Sequence, residues 1–589
     1  VAGFAALAAF CLAWLTVPSQ ASGAAPKCPP PYLVHTNASH SRSDVERARD
    51  DVFRVHRSKV RLAPPVNWAR DPAGSRRFRG ALSALAWIDV LFYDYRVNGR
   101  VGSLRKARDL ALDWVRSNPF PRGATDRTWD DRVTATRGPF LAYAMRAADC
   151  EGLLSASRRA VLRDAVVEHG RLAASDRRYR PTNHGLFVDT NLILLSRALP
   201  GVAGERGWEE KAERRFRRTL RGRIVEDEGF WLEHSSAYQL AILREVAFFR
   251  DLVGDDGLGD LVARMTDVSG WLVEPDEELW LLGSSNYTRI PDEVRDEAAA
   301  DEGMSWLPRS GLAVVKKAGA YLGFASTFFN ASHKHSDDLS FELYDRGRRI
   351  VSDSGQYDKD PGRWRSFQIS PRAHTTLTVD GERFSRDHDD AYRSGLAARG
   401  AGDGWHAILG RNPLVGHQGV DHRRLLLFRP GLGVVVVDRL RAPERHTYRR
   451  YFQIGTGIEA AEGPDGVELS QGSWSGRLAD AGPGDVARID LAKGRVRPAI
   501  AGFEFPAFRE RIPRYGVELT SSGSTRDELA VISVDPDEEL DATLLSAGRA
   551  RTEVELEIAG APAGTLEVTR NRKSLEVELS SARRSRSGR

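Results

Sequence analysis

Apolar positions along the chain follow two different rhythms, and the change falls near residue 305. Before it, they recur three and four apart, the spacing of one face of a helix. In "SLRKARDLALDWVRSNP" Ser103 reads as an N-terminal cap and Pro119 as a stop. "GALSALAWIDVLFYDYRVNG", "SASRRAVLRDAVVEHGRLA", "HGLFVDTNLILLSRAL" and "SSAYQLAILREVAFFRDLVG" predict further helices of medium length joined by short loops. No fixed-period repeat is present, but such a series suits stacked helical hairpins. After residue 305 the apolar positions alternate. "GLAVVKKAGAYLGFAS" and "LSFELYDRGRRIVSDSG" predict hairpins, the second turning at Asp345 to Gly347. "AHTTLTVDGERF", "RRLLLFRPGLGVVVVDRL", "RTEVELEIAG" and "GTLEVTRNRKSLEVELS" continue the pattern, which implies an antiparallel β-sandwich or stacked sheets.

Bulk properties sharpen this only a little. A chain of 589 residues is too long for one core. A net charge of +5 is small for that length and argues for neither nucleic acid nor membrane as partner. Only ten of the 86 basic residues are Lys, so an isolated Arg cluster carries little meaning here. The apolar run Val1–Val17 followed by small and polar residues has the form of an export signal cut between Ala21 and Ala25. A membrane anchor is the alternative, but the run is short and ends at Pro18. No later segment is apolar and long enough to span a bilayer. Export would place the mature protein outside the cytoplasm, secreted, periplasmic or on the cell surface, where Cys28 and Cys150 can pair. The expected division is a signal over 1–25, a helical domain over 26–305, a sheet domain over 306–580 and a basic disordered tail over 581–589.

The chemistry concentrates in a few short stretches. In "SHKHSDDLSFELYDRGRRIVSDSG", His333 and His335 stand two apart, and an extended segment would point them the same way. The hairpin that follows returns Asp353 toward His335, and His374 opens the next strand. Two or three His with one Asp make a zinc set. Against that stands a pair of loop histidines bonded to Asp337 or Asp338. In "PTNHGLFVDTN", Asn183 and His184 precede an apolar helix, where Asn183 serves equally well as a cap. "EDEGFWLEHSSAYQL" gathers Glu233, His234 and Tyr238 at a loop–helix junction, and "TWDDRVTATRG" offers Trp129, Arg132 and Arg137 as an aromatic and cationic wall.

The order of these stretches, NHG, then "EHSSAY", then H-x-H-x-D, then "DSGQY", then "AH" before "TVDG", resembles the heparinase II/III-like polysaccharide lyases, a superfamily that includes alginate lyases. The resemblance covers most of the chain and is strongest from Leu307 to Phe384. It implies an incomplete N-terminal (α/α) toroid followed by an antiparallel β-sandwich. It also implies β-elimination across a uronic acid glycosidic bond, in which a base removes the proton α to the carboxylate and an acid protonates the leaving oxygen. Carried over residue by residue, Asn183 and His184 would neutralise the substrate carboxylate. Tyr238 would act as base or acid, with His333 its counterpart. Glu233, Arg137, Trp129 and Tyr357 would bind substrate in a cationic cleft. His335, Asp353 and His374 would hold a structural zinc. The chain departs from the family in having Thr375 after the third metal segment, Ser284 where Asp is expected, and only Tyr357 in the turn after Asp353. Two other readings stay open: a glycoside hydrolase using Glu233 with Asp130 or Asp131, and a glycan-binding or assembly protein without catalysis.

Overall fold

The computed structural model describes residues 40–72, 74–464, 466–482 and 488–580. The signal-like run, Cys11, Cys28 and the basic tail lie outside them. Cys150 is disulfide-bonded, and its partner also lies outside the described residues. Among the described residues no helix is long and apolar enough to cross a membrane. Two compact units are present. Among the described residues, one holds 40–224 together with 244–259; the other holds 225–243 and 260–580. The change of periodicity at 305 therefore lies well inside the second unit.

The first unit is built from helices. Val101–Ser117, Asp131–Cys150, Ala156–Ala173, Asn183–Ala198 and Trp208–Arg223 pack in series, each beside its neighbours in the chain. The apolar faces of the first four share a core that includes Phe78, Leu85, Phe92, Tyr95, Trp114, Phe140 and Tyr143. Local chemistry sets several ends. Ser155 caps its helix by accepting from the Arg158 N–H. Ser103 does not cap: the helix begins at Val101, and the Ser103 hydroxyl donates to Asp94 Oδ2 at 2.5 Å. Thr182, not Asn183, caps Asn183–Ala198 by accepting from the His184 N–H, which leaves Asn183 as a buried first helical residue.

The second unit is mainly sheet. Five antiparallel strands, Gly303–Leu307, Leu312–Lys317, Ala320–Ala325, Ser340–Asp345 and Arg348–Val351, form one layer. Two tight turns within it are the expected ones: Ala318–Gly319 and Arg346–Gly347 both carry the two positive φ angles that join strands closely. A second, fourteen-stranded sheet contains Trp405–Asn412, Asp421–Arg429 and the long Gly433–Gln453 and Tyr515–Ser533 strands. Its unbroken apolar stretch is explained by burial on both faces. Leu426, Phe428, Val434 and Val436 enter the core shared with the five-stranded layer, while Leu425, Leu427, Val435 and Val437 enter a core with the C-terminal strands.

One buried ion pair links this frame to the loops that matter below. Arg424 and Asp438 are direct partners on neighbouring strands and neither is exposed to solvent. Arg424 Nε and Nη2 donate to the two carboxylate oxygens at 2.9 and 2.8 Å. Its Nη1 donates to the carbonyls of Leu339 and Thr375, both at 2.8 Å. Burial works to raise the Asp438 carboxyl, but Arg424 and His422 hold it well below the ordinary carboxylate range. Removing Arg424 leaves an uncompensated buried charge, so Arg424→Leu is expected to cost about 3–5 kcal/mol in urea unfolding. A loss below about 1 kcal/mol, the size of a surface pair, would show that the pair does not support the frame.

Candidate functional site

The loop 231–236 and the first turn of the helix Ser236–Val253 are tied down from several sides. Gln239 accepts from the Trp231 N–H at 2.8 Å and donates to the Gly229 carbonyl at 2.9 Å. Ser235 and Ser236 hydrogen-bond to Ser285 at 2.8 and 3.0 Å. Gly283 comes so close to this loop that a Cβ on it would lie 2.1 Å from the His234 carbonyl oxygen, and its φ is +55°. His234 then bridges to the next segment. Its Nδ1 donates to the Ser332 carbonyl at 3.0 Å and its Nε2 accepts from the Phe329 N–H at 2.9 Å, which assigns a neutral ring.

These ties bring four side chains of the sheet unit together. The rings of Tyr238 and His333 stack with centroids 3.7 Å apart. His333 Nδ1 lies 3.2 Å from Oε2 of Glu233, whose side chain is wholly buried. Lys359 reaches the Tyr238 hydroxyl, lies 4.7 Å over the Tyr238 ring and stands 3.2 Å from His333 Nε2. The loop that carries Lys359 is held in turn: Gln368 Oε1 accepts from the Tyr357 and Asp358 N–H groups, and Asp358 Oδ1 from the Lys359 and Asp360 N–H groups. Arg509 donates to Asp358 Oδ2 at 2.6 Å. A phenol oxygen beside an ammonium, on a tyrosine stacked against an imidazole, is equipped to move a proton. Lys359 carried no signal in the sequence beyond being polar in a Gly-, Asp- and Pro-rich loop.

His333 has φ +57°, so the segment around it is a turn and not a strand. The i, i+2 argument for convergence of the two histidines therefore fails: His333 joins Tyr238, and His335 turns into the interior. His335, Asp337 and His374 form a wholly interior group whose ligand atoms lie within 4.8 Å of one another. His335 Nε2 stands 3.1 Å from Ser284 Oγ, the position where the family pattern has Asp, while Nδ1 is buried with no hydrogen-bond partner. Asp353, expected as the carboxylate ligand, lies 2.8 Å from His374 Nδ1, and His374 Nε2 is 3.0 Å from the Gln368 carbonyl. Asp337 also accepts from Lys334 at 2.6 Å, and Asp338 from Lys334 at 3.0 Å. The aspartates that an ordinary loop would use for its histidines thus serve a buried lysine and the metal-type group. An orphaned imidazole nitrogen beside a second imidazole and a carboxylate is a donor set able to hold a divalent cation.

Tyr357 packs against Trp364 and Phe505, with centroids 5.7 and 5.3 Å away, in an aromatic cluster, rather than standing free for a ligand. The helical unit holds the remaining expected residues. His184 Nδ1 is 3.2 Å from Asp131 Oδ1, and Asp130, Asp131 and His184 together are a second group able to hold a cation. Burial would raise the Asp131 carboxyl, but hydrogen bonds from His184 and Asp130 hold it well below the usual range. Arg137 was expected to face a ligand. It is fully buried, sandwiched 3.7 Å from the Trp114 ring and 4.8 Å from that of Trp129, and it donates to His169 and to the carbonyls of Ser83 and Thr128. That corrects the expectation: Arg137 pins three segments of the helical core, and Trp129 is one of its walls.

With this geometry in place, the comparisons speak to family. Residues 299–513 match the family model described as "Heparinase II/III-like, C-terminal". No curated protein sequence matches it. Among solved structures, a heparinase III is similar at 16% identity with a TM-score of 0.75, covering 92% of this chain and 93% of that one. A heparinase III with methylated lysines is similar at 16% identity with a TM-score of 0.68 over 94% and 93% of the two chains. A heparan sulfate lyase mutant from Pedobacter heparinus is similar at 14% identity with a TM-score of 0.65 over 92% and 88%. The fold is therefore the expected one, a helical toroid unit followed by stacked antiparallel sheets.

Burial, with Lys334 adding to it, pushes His234 down to about 4. Its folded value lies below the unfolded one, so the stabilisation is complete above the ordinary value of 6.5 and is lost as pH falls toward 4. The shift corresponds to about 3 kcal/mol. His234→Gln is expected to flatten the fall of the urea midpoint across that window. An unchanged slope would mean that His234 is not the buried neutral strut described above.

Proposed function

We propose that the chain is a polysaccharide lyase that cleaves a uronic-acid-containing acidic polysaccharide by β-elimination. The observation that carries this reading is the Tyr238 hydroxyl held against the Lys359 ammonium with the His333 ring stacked on its own. The names of the similar structures, heparinase III and heparan sulfate lyase, support the same class. In the proposed reaction the Tyr238 phenolate oxygen takes the proton α to the uronate carboxylate. The electron pair released forms the new carbon–carbon double bond, the bond to the leaving oxygen breaks, and that oxygen is protonated from His333. Glu233 beside His333 Nδ1 favours the protonated imidazole that this step requires, and the Lys359 ammonium 3.2 Å from Nε2 opposes it, so the proton is carried once substrate draws Lys359 away. Asn183 and His184 of the helical unit are assigned, by the family resemblance, to neutralising the carboxylate as charge develops on it. Nothing favours a paired-carboxylate hydrolase: Glu233 faces His333, and Asp131 faces His184.

We also assign a structural zinc to His335 and His374 with a carboxylate from Asp337 or Asp353. The metal would supply cross-linking of the 331–339, 353 and 374 segments. Export is the proposed localisation, and the disulfide at Cys150 supports an oxidising compartment.

Incubation with a panel of uronate polymers is expected to yield products that absorb in the ultraviolet through the new double bond. Tyr238→Phe is expected to lower kcat by about a thousandfold, within the usual range for a lost acid–base group; full turnover by that variant would sink the assignment. Lys359→Met is expected to move the rising limb of the kcat/KM pH profile to higher pH, because removing the cation raises the phenol's pKa, and Lys359→Arg to restore part of it. Metal analysis of the purified chain is expected to find zinc that His335→Ala loses, and protein purified without chelators that holds none would count against the zinc.

A further inference from the structure

The long sheet has a second face that the site does not use. Arg423 and Arg424 are consecutive on the strand Asp421–Arg429, so their side chains leave on opposite faces. Arg424 reaches the Leu339 and Thr375 carbonyls, on the side of the loop that carries His333. Arg423 instead lines a cavity with Leu425, between the central strands and the hairpin that joins Leu540–Ala547 to Arg551–Ile558. Four more arginines reach the same cavity: Arg439 from the strand Gly433–Gln453, Arg549 and Arg551 from the hairpin, and Arg570 from Ala561–Asn571. None of the lining side chains is acidic. The chain's preference for Arg over Lys makes a run of arginines in the sequence uninformative, but these five come from separate elements and meet only in the fold.

Their partners leave positive charge over. Arg423 Nε lies 3.4 Å from Asp421 Oδ1, and Arg439 Nη1 and Arg549 Nη2 lie 3.6 and 3.8 Å from Asp421 Oδ2, so three guanidiniums share one carboxylate. Arg439 Nη1 is buried and makes no hydrogen bond. Arg551 is matched by Glu553 and Glu567. Arg570 Nε donates to the Arg572 carbonyl, and among the described residues its guanidinium has no carboxylate within ion-pair distance. Burial, and after it Arg441 and Arg423, lower Arg439 against the pull of Asp421; burial, then Arg423 and Arg411, lower Arg570. Leu425 and Val437 give the cavity an apolar floor, which strengthens the attraction of these charges for an anion. The rim is held in place: the Ala547 carbonyl accepts from Arg439 Nε at 3.2 Å and from Arg441 Nη2 at 3.4 Å, and the Arg570 N–H donates to the Ala550 carbonyl at 2.7 Å. We propose that this cavity is a second binding site for an acidic polysaccharide, where Arg423, Arg439, Arg549 and Arg570 take a sulfate or carboxylate group of the polymer on the sheet face opposite the His333 loop. Guanidinium forks suit both anions, since each presents paired oxygens to paired N–H donors. The assignment rests on the reading of the chain as acting on an acidic polymer. A polymer held there meets Tyr238 as an intramolecular partner, at a raised effective concentration.

Amide hydrogen exchange locates the bound polymer. The full-length chain carrying Tyr238→Phe, which prevents turnover, is mixed with a heparin octasaccharide or with a polyguluronate octasaccharide. Bound probe is expected to slow exchange over 547–552 and 568–572. Arg549→Gln and Arg570→Gln are each expected to raise the probe concentration needed for that protection about tenfold, the size of one charge-assisted hydrogen bond, with the melting temperature unchanged. Arg42→Gln, an equal loss of charge at an exposed arginine of the helical unit, is expected to leave it as it was. Protection by the heparin probe alone identifies sulfate as the bound group, and protection by both identifies carboxylate. Protection confined to the segments around Tyr238, protection of 547–552 that survives both variants, an equal loss in the Arg42 variant, or binding of neither probe would overturn the second site. Cleavage of a uronate polymer by a wild-type chain whose 547–552 segment stays unprotected would overturn the second site and keep the lyase reading. Arginine-dependent protection in a wild-type chain that forms no unsaturated product would refute the lyase reading and leave the second site standing.

Discussion

The Arg424–Asp438 pair is where the sheet frame takes hold of the site. A buried guanidinium is expensive to desolvate, and its five donors must be used if it is to be tolerated at all. Two of its nitrogens go to the carboxylate across the strand pair, and the third goes to two carbonyls outside it. Those carbonyls belong to Leu339, which ends the loop carrying His333 and His335, and to Thr375, which follows His374. Thr375 takes part in a second tie, accepting through its hydroxyl from the Gln453 N–H at 3.1 Å. The departure from the family at that position therefore falls on a residue that is doubly held, and not on a residue that faces Tyr238.

From that anchor the loop must turn sharply. His333 and Leu339 both have positive φ, at +57° and +64°, a conformation that costs side-chain-bearing residues energy. His234 lies across the same loop with φ +54° and both ring nitrogens engaged. Strain of this kind persists only where surrounding bonds over-determine it, and here they do. The result is that His333 is held against Tyr238 in a stacked arrangement that neither residue's own element would produce.

Much of this was legible in the sequence, and the exceptions have particular causes. Helix and strand periodicity separated the two halves because amphipathic burial is written directly into spacing. The unbroken runs Leu425–Phe428 and Val434–Val437 still read as strands because the turn residues between them separate them, and burial on both faces explains why they do not alternate. What could not be read were contacts between residues far apart in the chain. Lys359 meets Tyr238 across a separation of 121 positions, and no local pattern distinguishes it from a solvated loop lysine. Arg137 had the composition of a binding wall but turned inward, because three acceptors and two indole faces in the core satisfy it better than water does. Ser103 had the look of a cap, yet a buried carboxylate at Asp94 claimed its hydroxyl.

The interior histidines show how the same geometry can serve two states. His374 has an acceptor at each ring nitrogen, Asp353 on one side and the Gln368 carbonyl on the other, so in this arrangement it carries both protons. Burial alone would lower its pKa, and the Asp353 carboxylate more than reverses that. A proton shared between His374 and Asp353 and a cation bound by His374 with His335 and Asp337 would be alternative ways of settling the buried negative charge here. His335 leans toward the second, since its Nδ1 has no partner in the protonated arrangement. A buried polar atom without a partner is costly, and a metal that displaced the His374 proton would satisfy His335 at the same time. A cation at this group would thus sit two residues from His333, on the loop whose ring faces Tyr238.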